Sequence, residues 1–313
     1  MDARQGDAAA TLPDPVSFAT HDETAADLYA RISIEPVYTG IPFVDDTISL
    51  RRGQVVEFCG FGCCGKTQLL LQAALASVLP KGTKLPSGAI ASGGHAVFLD
   101  LDGRLDALQV VSWVDRLCKA SELPGTTTPS HAFTSACSKF HLVRCFGTRQ
   151  ALAAIRTLRP FLRRFQEQQD SLGILLVDGL SSTYFTDRMI KHPPGPPGPD
   201  TQEPPFSLAK VHATLSREVQ AIAREMCVPV AATSSALGPG YKPEGALVSW
   251  AFRETLPPCW QAVVTHRVLL QKAPAQRGDS LAPREPPMLA QFAKPRSDAV
   301  HQYEIGDRGI VRV

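Results

Sequence analysis

The chain has 313 residues, 44% of them apolar, and a formal charge of +2 at neutral pH. That is apolar material enough for a core in one large domain or two, and a charge too balanced to announce a nucleic-acid binder, so any such role must sit in local patches. No run of about 18 apolar residues predicts a membrane span, and the acidic start Met1-Asp-Ala-Arg-Gln-Gly-Asp7 lacks the apolar segment of a secretory signal.

In chain order, residues 1–34 read as a disordered segment with a short helical stretch at Ala25–Ala30. Gln54–Cys59 reads as a buried strand and Gln68–Ala76 as a helix. A Gly/Ser loop, Lys81–Gly94, leads to a second buried strand, His95–Leu101. Leu105, Leu108, Val111, Val114 and Leu117 then recur at helical spacing and predict a helix over Leu105–Cys118. Phe140–Cys145 follows as a strand, Arg149–Phe165 as a helix, and Gly173–Asp178 as a strand apolar on both faces. Leu208–Cys227 is a long amphipathic helix and Val228–Thr233 a fifth strand. Arg267–Gln271, Gln302–Ile305 and Gly309–Val313 make a β-rich end.

Such alternation predicts an α/β fold, a mainly parallel sheet with helices on both faces, formed by residues 35–313. Three Pro/Gly-rich stretches, 189–206, 236–258 and 273–290, are expected as flexible surface loops. The first two follow the carboxyl ends of strands, where such sheets bind their ligands.

The chemistry concentrates at Gly60, Phe61, Gly62, Cys63, Cys64, Gly65, Lys66 and Thr67, which fit G-x-x-x-x-G-K-[ST] and continue into Gln68. Strand, glycine loop and helix in that order suit a phosphate. Glycines let the backbone fold round it, and the free N–H groups of a helix start face it. Lys66 would reach the β/γ-phosphates and the Thr67 hydroxyl a Mg²⁺ ion. Asp178 ends an apolar strand where an acid supports that metal, or else caps a helix. Asp100 and Asp102 end another strand. Asp102 could orient a water, or simply build an Asp-Gly turn with Gly103. The eight cysteines include no C-x-x-C pair, so reduced, mostly buried thiols in a cytosolic or nuclear protein are expected rather than a zinc site.

Thr39-Gly-Ile-Pro-Phe-Val-Asp-Asp46, Arg52-Gly-Gln-Val-Val-Glu-Phe-Cys-Gly60, Gly65-Lys-Thr-Gln-Leu69 and Leu175-Leu-Val-Asp-Gly-Leu-Ser-Ser-Thr-Tyr184 together resemble the core of the RecA/RadA recombinase family. Tyr184-Phe-Thr-Asp-Arg188, Phe140–Cys145 and Cys259–Arg267 resemble one eukaryotic paralogue branch of it. The resemblance implies a RecA-like P-loop NTPase core using ATP and Mg²⁺, and a nuclear protein of double-strand break repair by homologous recombination. It further implies a heteromeric mediator complex with other recombinase paralogues, acting on single-stranded or branched DNA. By the same analogy Arg188, Lys191 and His192 in the first loop, and Lys242 and Arg253 in the second, are the DNA contacts.

Two departures temper the analogy. The family's catalytic Glu is here Asp102, one methylene shorter, so a water it held would sit about 1 Å out of place, a shift that can cost roughly 100-fold in rate. The family's γ-phosphate-sensing Gln is replaced within Thr233-Ser234-Ser235. Weak or absent hydrolysis is therefore expected, Asp102 being a weakened or vestigial base. An active DNA-dependent ATPase is the alternative, and a P-loop small-molecule kinase the third reading.

Overall fold

The computed structural model describes residues 24–33, 36–167, 171–182, 184–189, 207–239, 252–253, 255–273 and 286–313. Among these, the elements run α1 (Ala25–Ser33), α2 (Pro42–Asp45), β1 (Val55–Gly60), α3 (Lys66–Val78), β2 (His95–Asp100), α4 (Ala107–Ala120), α5 (Pro129–Lys139), β3 (Phe140–Arg144), α6 (Thr148–Glu167) and β4 (Leu172–Asp178). The second half runs α7 (Tyr184–Met189), α8 (Leu208–Glu225), β5 (Val230–Ser235), β6 (Leu237–Pro239), β7 (Phe252–Arg253), α9 (Pro258–Val263), β8 (His266–Lys272), β9 (Met288–Lys294), β10 (Arg296–Gly306) and β11 (Gly309–Arg312).

Nine strands form one sheet in the order β11-β10-β9-β8-β1-β5-β4-β2-β3. The run from β8 to β3 is parallel, and β8 to β11 pair antiparallel. The expected α/β architecture with a β-rich end is what forms. Every residue of β1, β2 and β4 is buried, because helices cover both faces of the parallel region.

The two-residue period of a strand divides the core. Val56, Phe58, Phe98 and Leu176 pack with α3, α4 and α5 on one face. Val55, Val97, Leu99, Leu175 and Val177 pack with α6, α8 and α9 on the other. Strand order reverses across β1, so the ends of β1, β2, β4 and β5 open on one crevice, the position where a doubly wound sheet places its ligand.

Several elements lie outside the expectations, the short helices α2, α7 and α9 among them. Helix α5 starts at Pro129, with the Thr128 hydroxyl accepting from the His131 N–H at 3.3 Å. That Thr-Pro start is a readable helix signal. Strand β9 begins at Met288, inside the stretch 273–290 expected to be flexible. It is held because it lies between β8 and β10, burying Leu289, Ala290 and Phe292. Residues 237–239 and 252–253, also expected in a loop, pair as a short antiparallel ribbon.

Candidate functional site

The glycine loop hangs between the end of β1 and the start of α3. At Gly60 a Cβ would come within 2.4 Å of the Leu270 carbonyl oxygen on neighbouring β8, so the strand pairing itself demands glycine there. Gly65 has φ +73° and caps α3. Cys63, at φ +60°, takes a conformation rarely adopted by a side-chain-bearing residue, and its side chain is exposed while that of Cys64 is buried. The Leu69 N–H makes the first helical bond, to the Gly65 carbonyl at 2.9 Å. The amides of Lys66, Thr67 and Gln68 therefore have no acceptor within the helix.

The side chains converge on this loop. Lys66 Nζ donates to the carbonyls of Gly60 at 3.1 Å and Phe61 at 2.6 Å, and burial lowers its pKa. The Thr67 hydroxyl donates to Asp178 Oδ2 at 2.7 Å, and the Thr233 hydroxyl from β5 donates to Asp178 Oδ1 at 2.5 Å. Thr233 Oγ1 also accepts from the Gly179 N–H at 2.8 Å. Asp178 thus caps no helix: three elements deliver one hydroxyl–carboxylate–hydroxyl unit. Burial raises the Asp178 pKa, and the two hydroxyl donors oppose that shift. Sequence reasoning found Thr67 and Asp178 but missed Thr233, which belongs to an apolar strand and whose role depends on β4 and β5 being neighbours.

Asp100 and Asp102 divide the work after β2. Asp100, fully buried, accepts from the N–H groups of Gly103 at 2.9 Å and Leu105 at 3.1 Å, so the turn is built by Asp100. Asp102 sits beside the site, its Cγ 3.3 Å from where a Gly179 Cβ would lie. Its pKa is pushed up to about 6 by burial first and then by the Asp178 charge. The Arg104 N–H donates to Asp102 Oδ1 at 3.4 Å, and the exposed Arg104 guanidinium stands 3.6 Å from Oδ2. Ser235 ends β5 with its N–H on the Ser181 hydroxyl at 2.7 Å.

A second layer, absent from the sequence reading, holds the loop from the far side. Tyr303 of β10, fully buried, donates its hydroxyl to the Cys64 carbonyl at 3.0 Å. Ile305 lies against Gly65, 2.2 Å from where a Cβ would be. The C=O and N–H of one trans peptide point to opposite sides. Tyr303 therefore turns the Gly65 N–H away from the hairpin and toward the open face of the loop.

The resemblance motifs acquire physical roles as well. Asp45 accepts from the Thr39 N–H and hydroxyl, both at 2.8 Å, and from the Gly40 N–H at 2.9 Å, closing the turn before α2. Burial pushes its pKa up to about 6. Glu57, buried in β1, accepts from Trp260 Nε1 at 3.0 Å and pairs with Arg267 Nε at 2.7 Å. The Cys259–Arg267 segment thus satisfies a buried carboxylate next to the loop.

The residues expected at DNA fare differently. Arg188 falls in α7 and Arg253 in β7, both rooted at the crevice end of the sheet, whereas Lys191, His192 and Lys242 lie outside the described residues. All eight cysteines are free thiols, and among the described residues no three His, Cys, Asp or Glu side chains gather as a metal site. Among the same residues no helix is long and apolar enough to cross a membrane.

No family model matches the chain. Over 300 aligned residues it is 26% identical to the DNA repair protein XRCC2 homolog of Arabidopsis thaliana, covering 82% of this chain and 79% of that protein. With the glycine loop, the Thr67–Asp178 pair and the sheet order described above, that similarity supports reading the chain as an XRCC2-like recombinase paralogue.

Proposed function

We propose that this paralogue binds Mg²⁺·ATP and acts in the nucleus, in double-strand break repair by homologous recombination, as a subunit of a heteromeric mediator complex with other recombinase paralogues. Hydrolysis in this reading is weak or absent. The observation that carries it is the joining of Lys66, Thr67 and Asp178 at one loop whose amides are free to face an anion. The residues present fit the nucleotide. Gly62 has open space where a side chain would stand, and Lys66 is held by two neutral carbonyl acceptors that charged phosphate oxygens would replace. Thr67 and Asp178 would hold the metal.

Bound nucleotide would supply the free energy that favours one shape of the chain, about 2.7 kcal/mol at 100 times its dissociation constant. Asp102 is mostly ionised at neutral pH and can accept a proton from water, yet its short side chain leaves that water poorly placed. The altered end of β5, with the Ser235 N–H committed to Ser181, adds to the case for binding without fast turnover. DNA contact through the loops rooted at α7 and β7 belongs to the same reading, as does localisation to the nucleus.

The second reading, a DNA-dependent ATPase, draws on Asp102 lying against Gly179, the residue after Asp178, close enough for the Asp178 charge to raise its pKa. Titration with a labelled ATP analogue, and turnover measured with and without single-stranded DNA, separate the two. Tight binding with a turnover unmoved by DNA supports the proposal. A strong DNA-stimulated rate abolished by Lys66→Ala overturns it.

A further inference from the structure

Three carboxylates crowd the crevice where β2 and β4 end. The two strands pair so that Asp100 stands opposite Asp178, and Asp102 lies against Gly179. Lys66 is the cation that bears on Asp178. Three acids beside one lysine make a poor field for a nucleoside triphosphate, whose terminal group carries the most charge. A magnesium ion on Thr67 and Asp178 would offset part of that field. The turn after β2 supplies a second cation, Arg104.

That turn is fixed on either side of Arg104. Asp100 accepts from the N–H groups of Gly103 at 2.9 Å and Leu105 at 3.1 Å. Gly103 has φ +68°, a conformation that suits glycine. Leu105 is buried, and its carbonyl accepts from Arg144 Nη2 at 3.1 Å. With the backbone anchored, the part free to move is the Arg104 side chain, which is 85% exposed. Its guanidinium rests 3.6 Å from Asp102 Oδ2, beyond hydrogen-bond length. An exposed ion pair of that kind contributes little. Arg104 can leave Asp102 for a better acceptor, and a phosphate oxygen matches its planar fork.

The end of β5, which borders the same crevice, offers no comparable reach. Thr233 is spent on Asp178, Ser234 is buried, and the Ser235 N–H is held by the Ser181 hydroxyl.

We propose that Arg104 reads the terminal phosphate: it exchanges Asp102 for a γ-phosphate oxygen and so makes the site prefer a nucleoside triphosphate to a diphosphate. This inference rests on the nucleotide-binding reading above and adds to it a specificity-determining residue. Arg104 stands two residues beyond Asp102 on an anchored turn, so the same movement that engages the phosphate uncovers the Asp102 carboxylate.

The test is titration of the purified full chain with a labelled non-hydrolysable ATP analogue and with labelled ADP, each with Mg²⁺. Arg104→Ala should weaken the triphosphate roughly 10- to 100-fold, the worth of a charge-assisted hydrogen bond. ADP affinity should stay within about threefold of the wild type. Arg104→Lys keeps a cation that can bind phosphate and should recover most of the lost preference. If the Ala variant melts early, Arg104→Gln takes its place.

A preference in Arg104→Ala within about twofold of the wild type overturns the proposal. So does an equal loss for both nucleotides, which would make Arg104 a support of the turn, and so does a Lys variant no better than Ala. A wild-type chain with no preference for the triphosphate also overturns it. Those outcomes leave nucleotide binding standing, whereas a wild type that binds neither nucleotide sinks the proposed function itself.

Discussion

Replacing Tyr303 by Phe removes one oxygen from a fully buried ring and leaves the Cys64 carbonyl without its donor at 3.0 Å. An unsatisfied buried acceptor costs about 1–3 kcal/mol. Unfolding entropy of about 2.1 cal/mol/K per residue gives roughly 0.66 kcal/mol/K for this chain, so Tm should fall by about 1.5–4.5 °C. The ring still packs against Phe43, whose centroid is 4.9 Å away, so no cavity term is added. The informative part is what happens to nucleotide. Freed from Tyr303, the Cys64–Gly65 peptide can rotate and the Gly65 N–H loses its set direction. Losing about 1 kcal/mol of that preorganisation weakens binding roughly fivefold. Thermal melts and titration with a labelled ATP analogue read the two effects separately. A lower Tm with a dissociation constant within about twofold of the wild type would refute the coupling and reduce the hairpin to a passive support.

Other expectations concern single groups. Lys66→Ala should lower affinity for a triphosphate by at least about 100-fold, since it removes a charge-assisted contact, while far-UV dichroism stays as in the wild type. Thr233→Val keeps the shape of the side chain but takes a donor from Asp178 and an acceptor from the Gly179 N–H. It should cost about 1–3 kcal/mol in urea unfolding and weaken nucleotide binding more with Mg²⁺ than without. Glu57→Ala removes the countercharge of Arg267, which is 13% exposed, and the acceptor of Trp260 Nε1, and should cost about 3–5 kcal/mol in the same assay.

The pH expectation takes its sign from the raised pKa of Asp102. Its folded value of about 6 lies above the ordinary 3.8, so the folded chain keeps a proton that the unfolded chain gives up. That contribution to stability is whole below about 3.8 and is lost as pH rises through about 6. His212, buried, and His141 and His266, half-buried, have pKa values lowered chiefly by desolvation and act in the opposite sense as pH falls. The quantity to measure is therefore the stability difference between wild type and Asp102→Asn across that window. It should turn against the wild type as pH rises, and a flat difference would contradict the burial argument.

Much of this molecule was legible from residue order, because the decisive signals are local. Continuous apolar runs in β1, β2 and β4 announced strands covered on both faces, and each proved buried along its whole length. The glycine pattern around Lys66 is a backbone requirement met within eight residues, so spacing alone located the loop. Asp178 could be assigned to a strand end, though its position did not tell a helix cap from a hydroxyl-bonded carboxylate.

What stayed hidden depends on chain neighbours distant in sequence. Asp102 was read as a possible turn former, but the buried residue two before it builds the turn, and burial is no property of a dipeptide. Strand β9 lies partly in a stretch expected to be flexible, and it exists because β8 and β10 flank it.

The sequence by itself determined the strand–loop–helix around Lys66, the alternation that makes the sheet mainly parallel, and the helix after β3. Each is a short-range property of spacing or backbone freedom. Only the tertiary structure decided that Thr233 would complete the Asp178 unit, that Tyr303 would hold the loop from 239 residues away, and that Glu57 would find Trp260 and Arg267. Those pairings follow from strand order, which is set by how the whole chain buries its apolar faces rather than by any single segment of it.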